Sequence, residues 1–472
     1  MPNASHAPQN PQARHRIAPV AEDLGRRFRD AGFQLALVGG SVRDTLLGRL
    51  GNDLDFTTDA RPEQVLKILR PWADAVWEVG IAFGTVGGKK DGYQVEVTTY
   101  RSEAYDRTSR KPEVSYGDTI DEDLVRRDFT VNAMAVSLPG TDFVDPYGGL
   151  DDLAARTLRT PGTPESSFSD DPLRMLRAAR FAAQLDFEVA PEVVAAMTAM
   201  ADRIEIVSAE RIRDELNKLI LSEHPRKGLR LLVDTGLADR VLPELSALRL
   251  ERDEHFRHKD VYEHTLTVLE QAIDLETDGP DLVLRLAALL HDIGKPKTRR
   301  FEPDGRVSFH HHEMVGAKLT KARMTRLKYP NEQVKDVSRL VELHLRFHGY
   351  GTGEWTDSAV RRYVRDAGPL LERLHKLTRS DCTTRNKKKA AALSRTYDSL
   401  EARIAELKEQ EELDAIRPDL DGNRIMQILG VPPGPVVGRA YQHLLELRLE
   451  HGPLGEEAAV EALKQWWAAQ SS

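Results

Sequence analysis

Two aspartates one residue apart, Asp53 and Asp55, follow a Gly39-Gly40 pair, and Arg43 stands between the two features. Paired carboxylates suit divalent cations that bridge nucleotide oxygens. A glycine turn that opens a helix suits phosphate, because free N–H groups and the positive dipole end face the anion. Together they predict nucleotidyl transfer, with Gly40 at the phosphate, Arg43 as its clamp and Mg²⁺ on Asp53 and Asp55. The elements that must position these groups follow from local pattern. Leu35–Val38 reads as a strand, Gly39-Gly40 as its turn and Ser41–Leu47 as a helix start, and the aspartates face one side of the next strand.

Phe83–Val86 and Val95–Tyr100 are apolar or alternating with β-branched residues, so they read as further strands of a small mixed sheet. Glu96 on the second of these is either a third carboxylate for the metal cluster or an exposed strand residue. Arg126–Met134 reads as a helix that opens with charge and continues apolar. Asp170-Asp171-Pro172 begins a helix on which Arg174, Arg177 and Arg180 recur every three residues. That stripe could hold triphosphate or read a base edge, or it is a solvated basic face. Ser208 is a plausible N-cap for a densely charged helix bearing Glu210, Arg211 and Asp214.

In this order the motifs resemble the signature of the DNA polymerase β-like nucleotidyltransferase superfamily, and within it bacterial class II tRNA nucleotidyltransferases. Members of that family add CCA to tRNA 3′ ends, and relatives include poly(A) polymerases. The resemblance covers roughly residues 20–445 and implies roles residue by residue. Arg127 would hold phosphate, with Asp128 and Asn132 by the ribose. The Asp-Pro-x-Arg-x-Leu-Arg-x-x-Arg-Phe motif brings in Asp171, Arg174, Arg177 and Arg180. The segment 208–218 resembles a motif whose acid and Arg imitate Watson–Crick edges, so that protein rather than nucleic acid templates C or A. Some members read Glu-Asp-x-x-Arg there; this chain has Arg211 where that pattern has Asp and Asp214 where it has Arg. Glu210, Arg211 and Asp214 are therefore either base readers or helix-surface ion pairs. Asp145-Pro146-Tyr147-Gly148-Gly149 reads as a turn, and its likeness to a family motif implies head packing.

A second constellation lies downstream. His264, His291-Asp292 in Leu-Leu-His-Asp-Ile-Gly-Lys, and Asp381 resemble the ligand series of the HD phosphohydrolase superfamily. Imidazole with carboxylate favours a divalent metal with open positions for phosphate and water. Leu286–Leu290 puts His291-Asp292 at the end of an apolar helix that Gly294 can terminate. His312, from a run of three histidines read as helical, and His344 are candidates for a second metal, and Lys295 for substrate phosphate.

The 472 residues allow about three domains, and one cysteine, Cys382, excludes an internal disulfide framework. No apolar run approaches the roughly 20 residues of a membrane helix, so a reducing cytoplasm and no membrane partner are expected. Net charge is -8, so RNA contact must come from local patches such as Arg226–Arg230, Lys295–Arg300, Lys321–Lys328, Arg361–Arg365 or Arg385–Lys389. The expected fold is α+β: a disordered tail at 1–17, a small mixed-sheet nucleotidyltransferase head at 18–165, a helical nucleotide-selecting neck at 166–235, an HD-type metal domain at 236–390 and a helical tail at 391–472. In the tail, Leu393–Leu413 reads as helix, and Asp421–Gly438 joins two helices through glycines and prolines that the resemblance places at tRNA. The expected activity is addition of CCA to tRNA from CTP and ATP. Poly(A) polymerase and CC-only or A-only enzymes share these motifs. A nucleotide- or RNA-binding module fused to an HD phosphohydrolase is the alternative of a different class.

Overall fold

Strand, turn, helix and strand form where the local pattern placed them: β1 (Leu35–Val38), α2 (Gly40–Leu46) after α1 (Pro19–Asp30), and β2 (Asp53–Thr58). The computed structural model describes residues 17–49, 51–101, 116–140, 142–250, 260–304, 306–347, 355–384, 386–411 and 416–470. All of the expected disordered tail but Ile17, and Arg385 of one basic patch, lie outside the described residues. The chain divides into two compact units, Met1–Pro243 and Glu244–Ser472.

The first unit continues with α3 (Pro62–Leu69), β3 (Ala75–Trp77), β4 (Thr85–Lys90), β5 (Tyr93–Thr99), α4 (Ile120–Val125), β6 (Ala135–Leu138) and β7 (Phe143–Val144). Its seven strands form one mixed sheet in the order β3-β4-β5-β2-β1-β6-β7, in which β2 and β5 run parallel. Alternation does the positioning: Leu54 and Phe56 of β2 and Val95 and Val97 of β5 are buried, which turns Asp53, Asp55 and Glu96 outward. After the sheet come α5 (Gly149–Ala154), β8 (Thr157–Leu158), α6 (Pro164–Asp170), α7 (Leu173–Leu185), β9 (Glu188–Val189), α8 (Pro191–Ala199), α9 (Ala209–Ile220), α10 (Pro225–Asp234) and α11 (Leu237–Val241).

Two expected elements differ. Phe83-Gly84 is not strand: Ile81–Phe83 is a single 3₁₀ turn that Gly84 ends at φ 77, so the strand starts at Thr85 and Phe83 is exposed. Arg126–Met134 is not a helix either. Helix α4 stops at Val125, Phe129 is extended, and only Thr130–Asn132 makes a 3₁₀ turn. The Asp128 carboxylate accepts the N–H of Phe129 at 2.8 Å, an alternative to the helical hydrogen bond.

The second unit is mostly helical: α12 (Pro243–Ser246, at its boundary), α13 (Val261–Asp274), α14 (Leu282–Leu290), α15 (Lys295–Thr298), a hairpin of β10 (Arg300–Phe301) and β11 (Val307–Ser308), α16 (His312–Arg326), α17 (Asn331–Leu343), α18 (Asp357–Ala367), α19 (Leu371–Ser380), α20 (Lys387–Gln410), α21 (Gly422–Leu429), α22 (Pro435–His451) and α23 (Glu456–Gln470). Among the three consecutive histidines only His312 is helical, because His311 takes a left-handed φ of 59 that starts α16. Gly294 does not end α14 in a left-handed turn; it lets the chain pass close to α16, where a β-carbon would stand 2.1 Å from the His312 carbonyl oxygen.

A buried ion triad joins α18, the end of α20 and α22. Arg361 donates to both oxygens of Glu411, at 2.7 Å for the shorter contact, and Arg448 donates to Glu411 at 2.9 Å. All three side chains are buried. Removing the shared carboxylate strands two buried guanidiniums, so Glu411→Ala should cost about 3–5 kcal/mol of stability. Urea unfolding followed by circular dichroism measures that loss.

Candidate active site and metal centre

In the sheet the parallel register sets Asp55 beside Glu96, and Asp53 lies two residues before Asp55 on the same face. Asp55 keeps an open side yet is ringed by protein, and that desolvation, with the charge of Asp53, raises its carboxyl above the ordinary value against the pull of Arg127 and Arg43. Desolvation and the same two aspartates raise Glu96 as well. Asp55 and Glu96, both raised, together with Asp53 on the same face form a donor set that suits divalent cations, which would supply the missing charge. Asp53 and Asp55 line a cavity of about 540 Å³ with Gly40, Ser41, Asp44 and Tyr93.

Ser41, read from sequence only as the start of a helix, ties the glycine turn to β2. Its hydroxyl donates to the Asp53 carbonyl at 3.2 Å and accepts the Asp55 N–H at 2.9 Å. Gly39 precedes α2 with φ 69, and a β-carbon there would stand 2.8 Å from Nη1 of Arg127. Arg127 therefore reaches the glycine turn, while its Nη2 donates to Asp123 at 3.0 Å. Arg43 is placed differently from the expected clamp. Its Nε and Nη2 donate to Asp44 at 2.8 and 3.0 Å, and Nη1 donates to Asn132 at 2.6 Å. Three of its five N–H groups are so engaged, and one remains on each Nη.

The chain of contacts continues into the neck. Asn132 donates to Asp128 at 2.9 Å, and Arg177 pairs with Asp128 at 2.7 Å. Burial alone would raise Asp128, but Arg177 and the Asn132 amide overcome it and hold the carboxyl below its ordinary value. On α7 the three arginines do not share one target. Arg174 donates to Ser167 Oγ at 2.9 Å and to the Arg126 carbonyl. Arg180 lies over the Phe181 ring at 3.9 Å and donates to buried Glu215 of α9 at 2.6 Å. Arg43 and Arg177 also face Phe181, at 5.2 and 5.8 Å, so one ring organises three cations. Neither Phe181 nor Glu215 was singled out from sequence as a site residue; Glu215 on the buried face of an otherwise charged helix was the available signal.

Asp171 stands just before α7, accepting the Leu173 N–H at 3.1 Å and pairing with Arg211 of α9 at 2.9 Å. The fold thus brings Asp171 and Arg211 together. It leaves Glu210 exposed, and Asp214 pairs with its neighbour Arg213 at 2.8 Å.

In the second unit six expected ligands converge. His264, His291 and Asp381 form one group and Asp292, His312 and His344 another, with the ligand atoms of each group within 4.8 Å of one another. Asp292 joins them, Oδ2 lying 3.2 Å from His291 Nε2 and Oδ1 3.2 Å from His312 Nε2. One local device aims three rings: Nδ1 of His291, His312 and His344 bonds the carbonyl three residues back, at 2.8, 2.8 and 2.6 Å. A proton fixed on Nδ1 leaves Nε2 with a lone pair directed at the cluster, the form a metal takes. Burial pushes His344 down to about 3, which keeps it neutral at pH 7. Burial would raise Asp292, but His291 and Lys295 hold it well below its ordinary value, and Lys295 Nζ lies 2.6 Å from it.

Three family models match successive parts of the chain. The profile of the poly A polymerase head domain matches residues 35–159, that of a probable RNA and SrmB-binding site of polymerase A matches 186–248, and the HD domain matches 261–405. The A-adding tRNA nucleotidyltransferase of Deinococcus radiodurans is 36% identical over 444 residues, covering 92% of this chain and 96% of the relative. The chain belongs to the tRNA nucleotidyltransferase family. Another relative, a CCA-adding enzyme of Streptococcus suis, is 30% identical over 437 residues, 92% of this chain and 93% of its own. The same fold occurs in the Bacillus stearothermophilus CCA-adding enzyme in complex with CTP, at a TM-score of 0.70 and 24% identity, covering 96% of this chain and 99% of that one. For a tRNA nucleotidyltransferase the small mixed sheet and helical remainder are the expected architecture. No helix among the described residues is long and apolar enough to cross a membrane.

Proposed function

We propose that this chain adds CCA to the 3′ end of tRNA from CTP and ATP without a nucleic-acid template. The observation that carries the reading is the common face of Asp53, Asp55 and Glu96 beside the Gly39-Gly40 turn. These carboxylates would hold Mg²⁺, which when bound would supply Lewis acidity toward the 3′-hydroxyl and positive charge for the leaving pyrophosphate. Ser41 keeps the metal strand in register with the phosphate turn, and Arg127 meets the triphosphate there. Asp128 and Asn132 lie toward the sugar, and Arg43 holds them by spanning Asp44 and Asn132.

For base selection we favour Asp171 and Arg211 over Glu210 and Asp214: the fold brings this carboxylate and guanidinium together from separate motifs, offering both acceptors and donors to a base edge, whereas Asp214 pairs with its own sequence neighbour Arg213. Asp171→Ala should change the ratio of kcat/KM for CTP to that for ATP by about tenfold or more, since one lost bidentate contact is worth about 1–3 kcal/mol of discrimination. Single-turnover incorporation of each nucleotide measures it. The activity itself is tested by incubating the protein with tRNA lacking CCA, labelled CTP and ATP, and Mg²⁺, and resolving products at single nucleotides. Three additions are expected; one A added only to tRNA already ending in CC would give it the product named for the Deinococcus relative.

The histidine cluster supports a second activity, hydrolysis of a phosphate ester. Its donor set fits two divalent ions, which supply Lewis acidity and an activated water, and Lys295 is placed to meet a phosphate oxygen.

A further inference from the structure

Helices α16 and α17 lie side by side, and their outer faces, with the turn after α18, enclose a groove of about 800 Å³. Helix α16 buries His312, Gly316, Thr320 and Met324 and so turns Lys318 and Lys321 toward the groove; α17 buries Val334, Val337 and Leu340 and contributes Lys335. We infer that this groove binds RNA backbone phosphates, a contact for the tRNA substrate on the second unit; the inference rests on the proposed tRNA reading.

Charge placement carries the argument. Arg339 pairs with Glu342 at 2.9 Å, and Arg346 takes Asp366, so two of the groove's own acids are already engaged. Lys318, Lys321 and Lys335 are exposed and pair with no carboxylate among the described residues. Asp336 is the lining carboxylate left to oppose them, and Arg365 adds a further cation to the lining. An excess of positive charge gathered from separate elements stands out in a chain whose net charge is -8, because the overall field repels RNA and binding must come from such local sites.

The residue types fit phosphate rather than a single carboxylate partner. Lysine is a compact, mobile point charge that tracks a backbone without demanding the fork geometry of arginine. Two of the basic segments read from sequence, Lys321–Lys328 and Arg361–Arg365, each send a residue here, so what looked like separate solvated faces is one site.

The test uses the full chain carrying Lys318→Ala, Lys321→Ala and Lys335→Ala together. Each lost phosphate contact should flatten the slope of log K against log salt by about one, so tRNA binding followed across a KCl series should show a slope shallower by about three. KM for tRNA should rise several-fold, while KM for CTP at saturating tRNA and kcat stay at wild-type values. The triple Lys→Arg variant should bind as wild type does, since charge is what is read. An unchanged salt slope and tRNA KM in the alanine variant, or loss of binding in the arginine variant, overturns the inference while leaving nucleotide addition by wild type intact. A wild-type chain that neither binds nor extends tRNA overturns the substrate reading and this site with it.

Discussion

Asp55→Ala should lower nucleotide incorporation by about a thousandfold or more without unfolding the protein. Loss of a ligand to catalytic cations removes several kcal/mol of transition-state charge stabilisation, and about 1.4 kcal/mol corresponds to a factor of ten in rate. Folding should not suffer, because Asp55 stands among like charges: Asp53 and Glu96 share its face, and crowding raises its carboxyl. A carboxyl raised in the folded state holds a proton that the unfolded chain releases. Its contribution to stability is present below the ordinary carboxylate value and is lost as pH rises through the raised one. Without added metal, then, wild type should lose more stability than Asp55→Ala between mildly acid and neutral pH. Urea midpoints across that range measure the difference, and single-turnover CTP incorporation measures the rate. Incorporation within tenfold of wild type would remove Asp55 from the metal site.

What sequence could tell about this site follows the range of the interactions. The strand, glycine turn, helix start and paired aspartates occupy one short stretch, so alternation and turn chemistry suffice to place them. Glu96 is different: its neighbourhood with Asp55 depends on β2 pairing with β5 in parallel, a register that neither strand states alone. Arg43 shows the limit more sharply. Its residue type and position suggested a phosphate clamp, yet Nη1 is taken by Asn132, 89 residues away, and Nε and Nη2 by Asp44 next to it. The helix expected at 126–134 is absent for a local cause, since Asp128 satisfies a backbone N–H from its side chain and Phe129 is extended. The arginines of α7 were visible as a row, but Phe181 and Glu215 decide where Arg180 rests.

The order His264, His291-Asp292, Asp381 was readable from spacing and resemblance, whereas the addition of His312 and His344 to the same cluster required the fold to bring α17 against α14 and α16 against α15 and the turn before it. Both helices carry the local device seen at His291, Nδ1 held by the carbonyl three residues back, so the orientation of each ring is set by its own helix end and only the meeting is tertiary. That separation yields the second large expected effect. Asp292→Asn keeps the shape of the side chain but replaces a carboxylate that faces both ligand groups with a neutral amide. Divalent metal in excess of that held by Asp53, Asp55 and Glu96, measured by elemental analysis, should be lost, and opening of a cyclic phosphate or release of phosphate from a monoester should drop by about a thousandfold, the loss expected when an ion providing several kcal/mol departs. Nucleotide addition should persist, because Asp53, Asp55 and Glu96 belong to the other compact unit. His344→Gln gives an independent check: it removes a ring that is neutral at pH 7 and whose loss strands no buried charge, so retained folding with lowered metal content would locate the defect in coordination. Equal metal content and equal phosphate release in both variants would mean that the cluster is a structural knot of hydrogen bonds, with the second unit serving the first only through RNA.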